Sequence, residues 1–294
     1  MKSYPISRQI WRVIYPLLIW LGLTFLAAGV GAVVVGLVVT IRDGLEDYMI
    51  EAAIETFLNE HGLWLLIVGN ALSAAVLIPM WLQTRKSLPV FENAKLGVSV
   101  ITLTAFFFIF FNFILSSLFS FIDILRFFSS YEELIEALAA GSFLVQILAV
   151  GIVAPVVEEV LYRGIILNRL LQWIPKWVAV LISSALFGLM HFNLFQGLYA
   201  FATGIVVAVV YLRYRNLWIP IIGHVVFNMT SVVVGEIFER TGAEFNALLF
   251  LIPGVLLSIV SIVLMVKFTK PAVLIQNPNT EVDATPFIQP EGQH

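Results

Sequence analysis

"APVVEEVLYRGII", from Ala154 to Ile166, carries three charged side chains within a segment that is otherwise apolar enough to cross a membrane. Glu158, Glu159 and Arg163 fall within two helical turns of one another. A charged side chain near the centre of a membrane helix costs about 2.5–3.5 kcal/mol on insertion scales. Three of them in one span indicate a structural or functional role inside the bilayer.

The composition of the whole chain is that of a membrane protein. Its 294 residues are 60% hydrophobic and only 12% charged, whereas about a quarter of the residues in soluble domains are charged. The net charge of -3 gives no electrostatic support for nucleic-acid binding, so no nucleic-acid partner is expected. The absence of cysteine excludes disulfides, thiolate metal sites and a cysteine nucleophile.

Eight segments are long and apolar enough to be membrane-spanning helices, which need about 20 mostly apolar residues. They are residues 13–41, 62–82, 96–122, 141–166, 177–192, 195–212, 217–235 and 246–268. The fifth and sixth segments are short and close together, which predicts a tight hairpin or a pair of partly re-entrant helices. The sequence therefore predicts an all-α membrane protein, a polytopic bundle of about eight transmembrane helices.

Charged residues in the connections alternate in sign along the chain. The basic set is Lys2, Arg8 and Arg12, then Arg85, Lys86 and Lys95, then Arg169 and Lys176, then Arg213 and Arg215, then Lys267 and Lys270. The acidic set is Glu46, Asp47, Glu51 and Glu55, then Glu132, Glu133 and Glu136, then Glu236, Glu239 and Glu244. The positive-inside rule places the basic connections and both termini in the cytoplasm. We therefore expect an integral, multi-pass protein of the cell membrane, surrounded by the lipid bilayer.

A single transmembrane domain is predicted over residues 1–270. Residues 271–294 are rich in Pro, Asn, Gln and Thr, a composition typical of a disordered tail, here a cytoplasmic one. Two further segments, 44–60 and 129–140, mix acidic residues with apolar ones at helical spacing. They are predicted to lie along the outer membrane interface as amphipathic helices.

Helical spacing predicts specific neighbours within the charged span. Glu159 and Arg163 are four residues apart, so they can pair on one face, while Glu158 lies about 100° away round the helix. Pro155 has no backbone N–H to donate, so it should kink the helix and free the carbonyl of Gly151. A structural clamp between helices is one explanation of the Glu–Arg pair.

Further polar residues lie in two other spans. His191 ends the fifth span in "FGLMHFN", and His224 and Asn228 share a face of the seventh span in "GHVVFN". Counted along their helices from the basic ends, Glu158, His191 and His224 all fall near the middle of a hydrocarbon layer about 30 Å thick. They are expected to converge on one buried polar cavity that opens more easily to the cytoplasm.

These residue types suit the activation of water. A glutamate can act as general base on a water that attacks a carbonyl, and a His–Asn pair can hydrogen-bond the oxyanion that forms. Metal binding is the alternative, because Glu158, His191 and His224 would make a catalytic zinc set with water in the fourth position. The H-E-x-x-H signature is missing, and each histidine comes from a different span. No cofactor is therefore expected, and zinc stays as the alternative.

Three short motifs follow one another across neighbouring spans. "EEVLYR" fits E-E-x-x-x-R, "FGLMH" fits F-x-x-x-H and "HVVFN" fits H-x-x-x-N. In this order they resemble the motifs of the CAAX prenyl protease and bacteriocin-processing family of intramembrane proteases (CPBP), over about residues 145–235. The resemblance implies eight transmembrane helices around a conical, water-accessible cavity, and hydrolysis of a peptide bond within the membrane.

The resemblance also implies a catalytic role for each matched residue. The set is Glu158, Glu159, Arg163, His191, His224 and Asn228. Glu158 would activate water together with His191, and His224 and Asn228 would form the oxyanion hole. The other two charged residues of the first motif would orient the site and balance its charge.

The expected function is that of an intramembrane endopeptidase acting on a membrane-associated peptide or protein. Family members that cut prenylated proteins can carry an Asn four residues after the second-motif histidine, where this chain has Phe195. The chain is in this respect closer to the prokaryotic branch. Two other functions stay open: a proton-coupled membrane transporter, since buried Glu and His residues also form proton relays, and a non-catalytic membrane protein of the bacteriocin-immunity type.

Overall fold

The computed structural model describes residues 5–43, 47–89, 91–92, 96–121 and 141–274. This part of the chain forms eight helices and two strands of two residues each. The helices are α1 (Ile6–Asp43), α2 (Asp47–Arg85), α3 (Val98–Ser120), α4 (Phe143–Leu170), α5 (Lys176–Leu189), α6 (Leu194–Tyr214), α7 (Trp218–Thr241) and α8 (Ala247–Phe268). The strands are β1 (Phe91–Glu92) and β2 (Val273–Leu274).

Seven of these helices are long and apolar enough to span a membrane, which confirms the predicted all-α polytopic fold. α5 is the exception, since its 14 residues extend only about 21 Å, less than the hydrocarbon thickness. Phe192 follows it in a left-handed conformation with φ 54°, and α6 begins two residues later. The two helices form the tight hairpin that was one of the two sequence-based expectations.

The segment 44–60, predicted as a separate interfacial helix, is described from Asp47 onward, and residues 44–46 lie outside the described part of the chain. From Asp47 onward the segment instead forms the first turns of α2, which continues without a break to Arg85. Of the helix-weakening residues in α2, Gly62, Gly69 and Pro79, only Gly62 lies where the predicted interfacial helix would meet the span. One glycine costs about 1 kcal/mol, too little to end a helix of this length. The other predicted interfacial helix, 129–140, lies outside the described residues.

α4 lies at the centre of the bundle and packs against α1, α2, α5, α6 and α7. Its second half is almost completely buried from Val157 to Leu171. Two π-helical segments, Ile147–Val153 and Val160–Leu167, alternate with α-helical turns along it. In contrast, α1 and α8 expose many large apolar side chains, as expected of helices at the lipid-facing periphery of a bundle.

Two short strands tie the end of the described chain to the connection between α2 and α3. Phe91 pairs with Leu274 and Glu92 with Val273 in an antiparallel ladder. The backbone amide of Ala272 also donates to the carbonyl of Arg213, at 2.8 Å. Three of the first four residues of the stretch predicted to be disordered from residue 271 thus have defined backbone partners, namely Ala272, Val273 and Leu274, and residues 275–294 lie outside the described part.

Candidate active site

A buried ion pair within α4 forms the base of the site. Glu159 and Arg163 are both 0% exposed, and their side chains meet at 2.8 Å, as the spacing of four residues predicts. Arg163 also donates from Nη2 to the carbonyl of Gly204 in α6, at 2.8 Å, and its guanidinium lies over the ring of Phe187 in α5. The arginine therefore connects α4 to both helices of the hairpin.

His224 connects this ion pair to the opposite helix, α7. Its Nδ1 lies 2.8 Å from the Oε1 of Glu159, the same oxygen that accepts from Arg163. The carboxylate oxygen accepts, so Nδ1 carries the proton in this contact. The Nε2 atom on the other side of the ring lies 3.8 Å from the Oε2 of Glu158. One imidazole thus stands between two carboxylates, in hydrogen-bond contact with the first and just beyond that distance from the second.

The two neighbouring glutamates have different surroundings. The side chain of Glu158 is 13% exposed and lines a cavity, whereas that of Glu159 is completely enclosed. Their directions differ because successive residues on a helix are about 100° apart. The geometry therefore leaves Glu158 accessible to a small molecule such as water and places Glu159 behind it as a fixed partner of His224.

His191 is held in the turn between α5 and α6. Its Nδ1 lies 2.8 Å from the backbone carbonyl of Phe187, and since a carbonyl can only accept, Nδ1–H donates. In the neutral ring Nε2 is then an acceptor, and the residue lines the same cavity as Glu158. The side chain of Asn193, two residues on, caps the first amides of α6, which fixes this turn.

Asn228 is held by the irregular part of α4. Its amide donates to the carbonyl of Val150, at 3.0 Å. In the adjacent π-helical segment the amide of Ala154 bonds five residues back, to Ala149, so the next amide in this register would bond to Val150. That next residue is Pro155, which has no N–H. The carbonyl freed by the proline is thus Val150, not Gly151 as an α-helical register predicts.

The site opens into a cavity of about 990 Å³ between the helices. Four of the six predicted residues line it: Glu158, His191, His224 and Asn228. The other two, Glu159 and Arg163, lie behind it and contact the lining through His224 and Phe187. The three motifs therefore meet in one place.

The direction of the cavity bears on the expected cytoplasmic opening. It runs from Glu158 to Gln146 near the start of α4, Ser120 at the end of α3, and Glu236 and Glu239 near the end of α7. Those helix ends carry the acidic connections, which the positive-inside rule assigns to the outer side. A cytoplasmic opening and cytoplasmic basic connections are therefore incompatible expectations, because the cavity extends to the helix ends that carry the acidic connections. Both the opening and the orientation stay predictions.

Comparison with known proteins identifies the segment that carries the site. Residues 140–230 match the family described as "Type II CAAX prenyl endopeptidase Rce1-like". Because of this similarity, residues 140–230 are referred to below as the Rce1-like segment. The chain is also 29% identical over 183 residues, 61% of this chain and 74% of the relative, to a Bacillus subtilis (strain 168) protein named "Putative membrane peptidase YdiL". No solved structure matches the chain significantly. The two similarities support a membrane protease.

The Rce1-like segment contains all six predicted site residues but not the whole of the cavity wall. Asn112 in α3 also lines the cavity and is only 2% exposed. It is the one strongly polar residue in "FFFIFFNFIL", a signal that sequence reasoning missed. Tyr162 lines the cavity too, and its buried hydroxyl has no hydrogen-bond partner among the described residues.

The described residues do not assemble a metal-binding group. Within the described ranges, no three His, Asp or Glu side chains lie close enough together to hold a metal ion. The zinc set proposed as the alternative, Glu158, His191 and His224, is thus not brought together as ligands. The Nδ1 contacts of the two histidines do not bear on this point, since a zinc-binding histidine also donates its other N–H to a protein oxygen. The donor geometry thus gives no support to the zinc alternative.

Proposed function

We propose that this protein is an intramembrane endopeptidase, which hydrolyses a peptide bond of a membrane-associated peptide or protein by using water activated by Glu158. The observation that carries the proposal is the position of Glu158, accessible in a large cavity and 3.8 Å from the Nε2 of His224. A space of this size between helices accommodates an extended peptide as well as water. The Rce1-like segment and the similarity to a membrane peptidase point to the same reaction class.

The proposed reaction begins with proton transfer to Glu158. The carboxylate takes a proton from water while the water oxygen bonds to the scissile carbonyl carbon. His191, with Nδ1–H bound to the Phe187 carbonyl, presents Nε2 as a second acceptor for that water. The protonated Glu158 then donates to the leaving nitrogen as the C–N bond breaks, which yields a carboxyl and an amine.

The developing oxyanion would be stabilised from α7. Asn228 uses one amide hydrogen for the Val150 carbonyl and has a second to donate to the cavity. His224 holds Glu159 with Nδ1–H, so its Nε2 donates only in the imidazolium form. Glu158 is protonated at that point, so the Glu159 carboxylate and the oxyanion together balance the positive charges of His224 and Arg163. The buried Glu159–Arg163 pair acts as a positioning element, because it fixes the ring without touching the substrate.

The proposal is tested with purified protein and a library of quenched fluorescent peptides in detergent micelles or liposomes. The Glu158→Gln variant keeps the size of the side chain and removes the base, so cleavage should fall by about 10²–10⁴-fold. Glu55→Gln is the matched control, since Glu55 is an exposed glutamate on α2 outside the cavity. Equal cleavage by Glu158→Gln and the unmodified protein would refute the proposal.

Three further measurements separate the alternatives. Addition of a zinc chelator should leave cleavage unchanged, and a loss of cleavage that zinc restores would instead establish metal dependence. Proteoliposome uptake of a solute that stops in Glu158→Gln, in the absence of any peptide cleavage, would favour a transporter. A cellular phenotype that survives replacement of Glu158, His191 and His224 would favour a non-catalytic binding or immunity protein.

A further inference from the structure

A second polar cluster lines the cavity beyond the six motif residues. The amide nitrogen of Asn112 in α3 lies 3.1 Å from the hydroxyl of Tyr199, 3.1 Å from the carbonyl of Phe227 and 2.6 Å from the hydroxyl of Ser231. The four residues come from three helices: Asn112 from α3, Tyr199 from α6, and both Phe227 and Ser231 from α7. An amide in an apolar membrane helix is expensive unless it is bonded, and here its nitrogen is fully engaged.

The hydroxyl proton of Ser231 is the group in this cluster that can bind a ligand. When the oxygen of Ser231 accepts from Asn112, the hydroxyl proton of Ser231 has to point elsewhere. The only other partner recorded for this hydroxyl in the described part of the chain is the carbonyl of Phe227, at 3.5 Å, the outer limit of a hydrogen bond. Ser231 is exposed and lines the cavity. The serine is therefore a donor available to an acceptor in the cavity.

Ser231 lies on the same face of α7 as the proposed oxyanion donors. It is seven residues after His224, or about two turns, which corresponds to about 10.5 Å along the helix. An extended peptide advances about 3.3–3.5 Å per residue, so about three residues cover this distance. A peptide lying along α7 with its scissile carbonyl beside His224 would thus bring a backbone carbonyl to Ser231.

We propose that Ser231 is a substrate-binding residue, which donates a hydrogen bond to a peptide backbone carbonyl about three residues from the scissile bond. Asn112 is its positioning residue, because it accounts for the orientation of the hydroxyl and does not itself need to touch the peptide. The inference rests on the proposed endopeptidase function. It gives a reason for the buried side-chain amide of Asn112 in the otherwise apolar helix α3.

The test compares Ser231→Ala with a matched control in the same helix. Thr230→Val also removes one hydroxyl, but that hydroxyl donates within α7 to the Val226 carbonyl and does not line the cavity. Loss of one neutral hydrogen bond should raise KM roughly 3–10-fold in Ser231→Ala and leave kcat unchanged. Thr230→Val should change neither value, and Ser231→Thr, which restores a hydroxyl, should recover most of the affinity.

A substrate-side change locates the contact. In the library peptide that the protein cuts fastest, each backbone amide is replaced in turn by an ester, whose carbonyl is a weaker acceptor. The unmodified protein should bind the peptide with the ester three residues from the cleavage point several-fold more weakly, whereas Ser231→Ala should not distinguish it from the parent peptide. A purely structural role of Asn112 and Ser231 would give no dependence on ester position.

Binding itself is measured by fluorescence anisotropy with the labelled peptide in the Glu158→Gln background, so that it does not depend on turnover. If the protein cuts no peptide, the proposed endopeptidase function fails, and the library peptide that binds tightest is used for the anisotropy measurement. The role of Ser231 in peptide binding is then still tested, independently of cleavage. Equal affinity of Ser231→Ala and the parent protein overturns the inference. So does a loss confined to kcat, or binding of no library peptide.

Discussion

Replacement of Arg163 by Met should destabilise the protein strongly, although the new side chain is of similar length and apolar. Arg163 makes two charge-assisted contacts at 2.8 Å, to Glu159 and to the Gly204 carbonyl, and is completely buried. Each hydrogen bond to a charged group contributes about 1.5–3 kcal/mol. The change also leaves the Glu159 carboxylate buried without its cation. Both considerations give a loss of about 3–5 kcal/mol in the free energy of unfolding.

A second substitution tests the physical reason for that loss. The pair is imperfectly satisfied, since Glu159 Oε2 and Arg163 Nε have no hydrogen-bond partner among the described residues. A buried ion pair of this kind adds little net stability compared with a neutral replacement. The Arg163→Met/Glu159→Gln double variant should therefore recover most of the lost stability. It should not recover peptide cleavage, because His224 has lost the carboxylate that holds its Nδ1.

The free energies are measured by reversible unfolding in mixed micelles with increasing denaturing detergent, followed by circular dichroism. The double variant has to be measured beside both single variants, so that the coupling between the two sites is obtained directly. A loss below about 1 kcal/mol in Arg163→Met would refute the reasoning, because the magnitude follows from a desolvated charge left without a partner. A double variant less stable than Arg163→Met would refute it as well.

Three other outcomes follow from single contacts. Gly188→Ala should lower the free energy of unfolding by about 1–3 kcal/mol, since a Cβ there would lie 2.5 Å from a backbone carbonyl oxygen of α6. Gly22→Ala is the control, because the space around Gly22 is open, and equal stability of the two variants would contradict the packing argument. Tyr162→Phe removes a buried hydroxyl that has no hydrogen-bond partner in the described part of the chain, so the thermal midpoint should be unchanged or higher, and a clear decrease would contradict this. Asn228→Ala removes the donor that holds the Val150 carbonyl, and kcat should fall about 10²–10³-fold in the peptide assay, whereas a retained kcat would exclude an oxyanion role.

The membrane fold was predictable because lipid offers no hydrogen bonds to the backbone. A chain this apolar has to satisfy its amides internally, so long apolar segments become helices. The ends of the helices were less predictable. Residues 47–60 continue into α2 and α5 ends at Leu189, since apolar composition marks the membrane-facing stretch and not the point where helical hydrogen bonding stops.

Part of the candidate site was also visible in the sequence. The spacing of Glu159 and Arg163 fixes their contact through helix geometry alone, and the three motifs indicate which residues to examine. The contacts with Asn112 could not be predicted, because its partners lie 87 to 119 residues away along the chain. The partner of Asn228 was missed for a different reason: the local register of α4 is π-helical, and nothing in the residues near Pro155 specifies that.

By itself, the sequence determined an all-helical membrane protein in which the charged residues within the apolar segments are concentrated in one span, because both features depend on composition and short-range spacing. Only the tertiary structure decided that His224 stands between Glu158 and Glu159, across 65 residues of chain, and that the cavity extends to the helix ends next to the acidic connections. The physical reason is that helix packing sets distances between remote side chains. Those distances depend on how whole surfaces fit together, which no local pattern encodes.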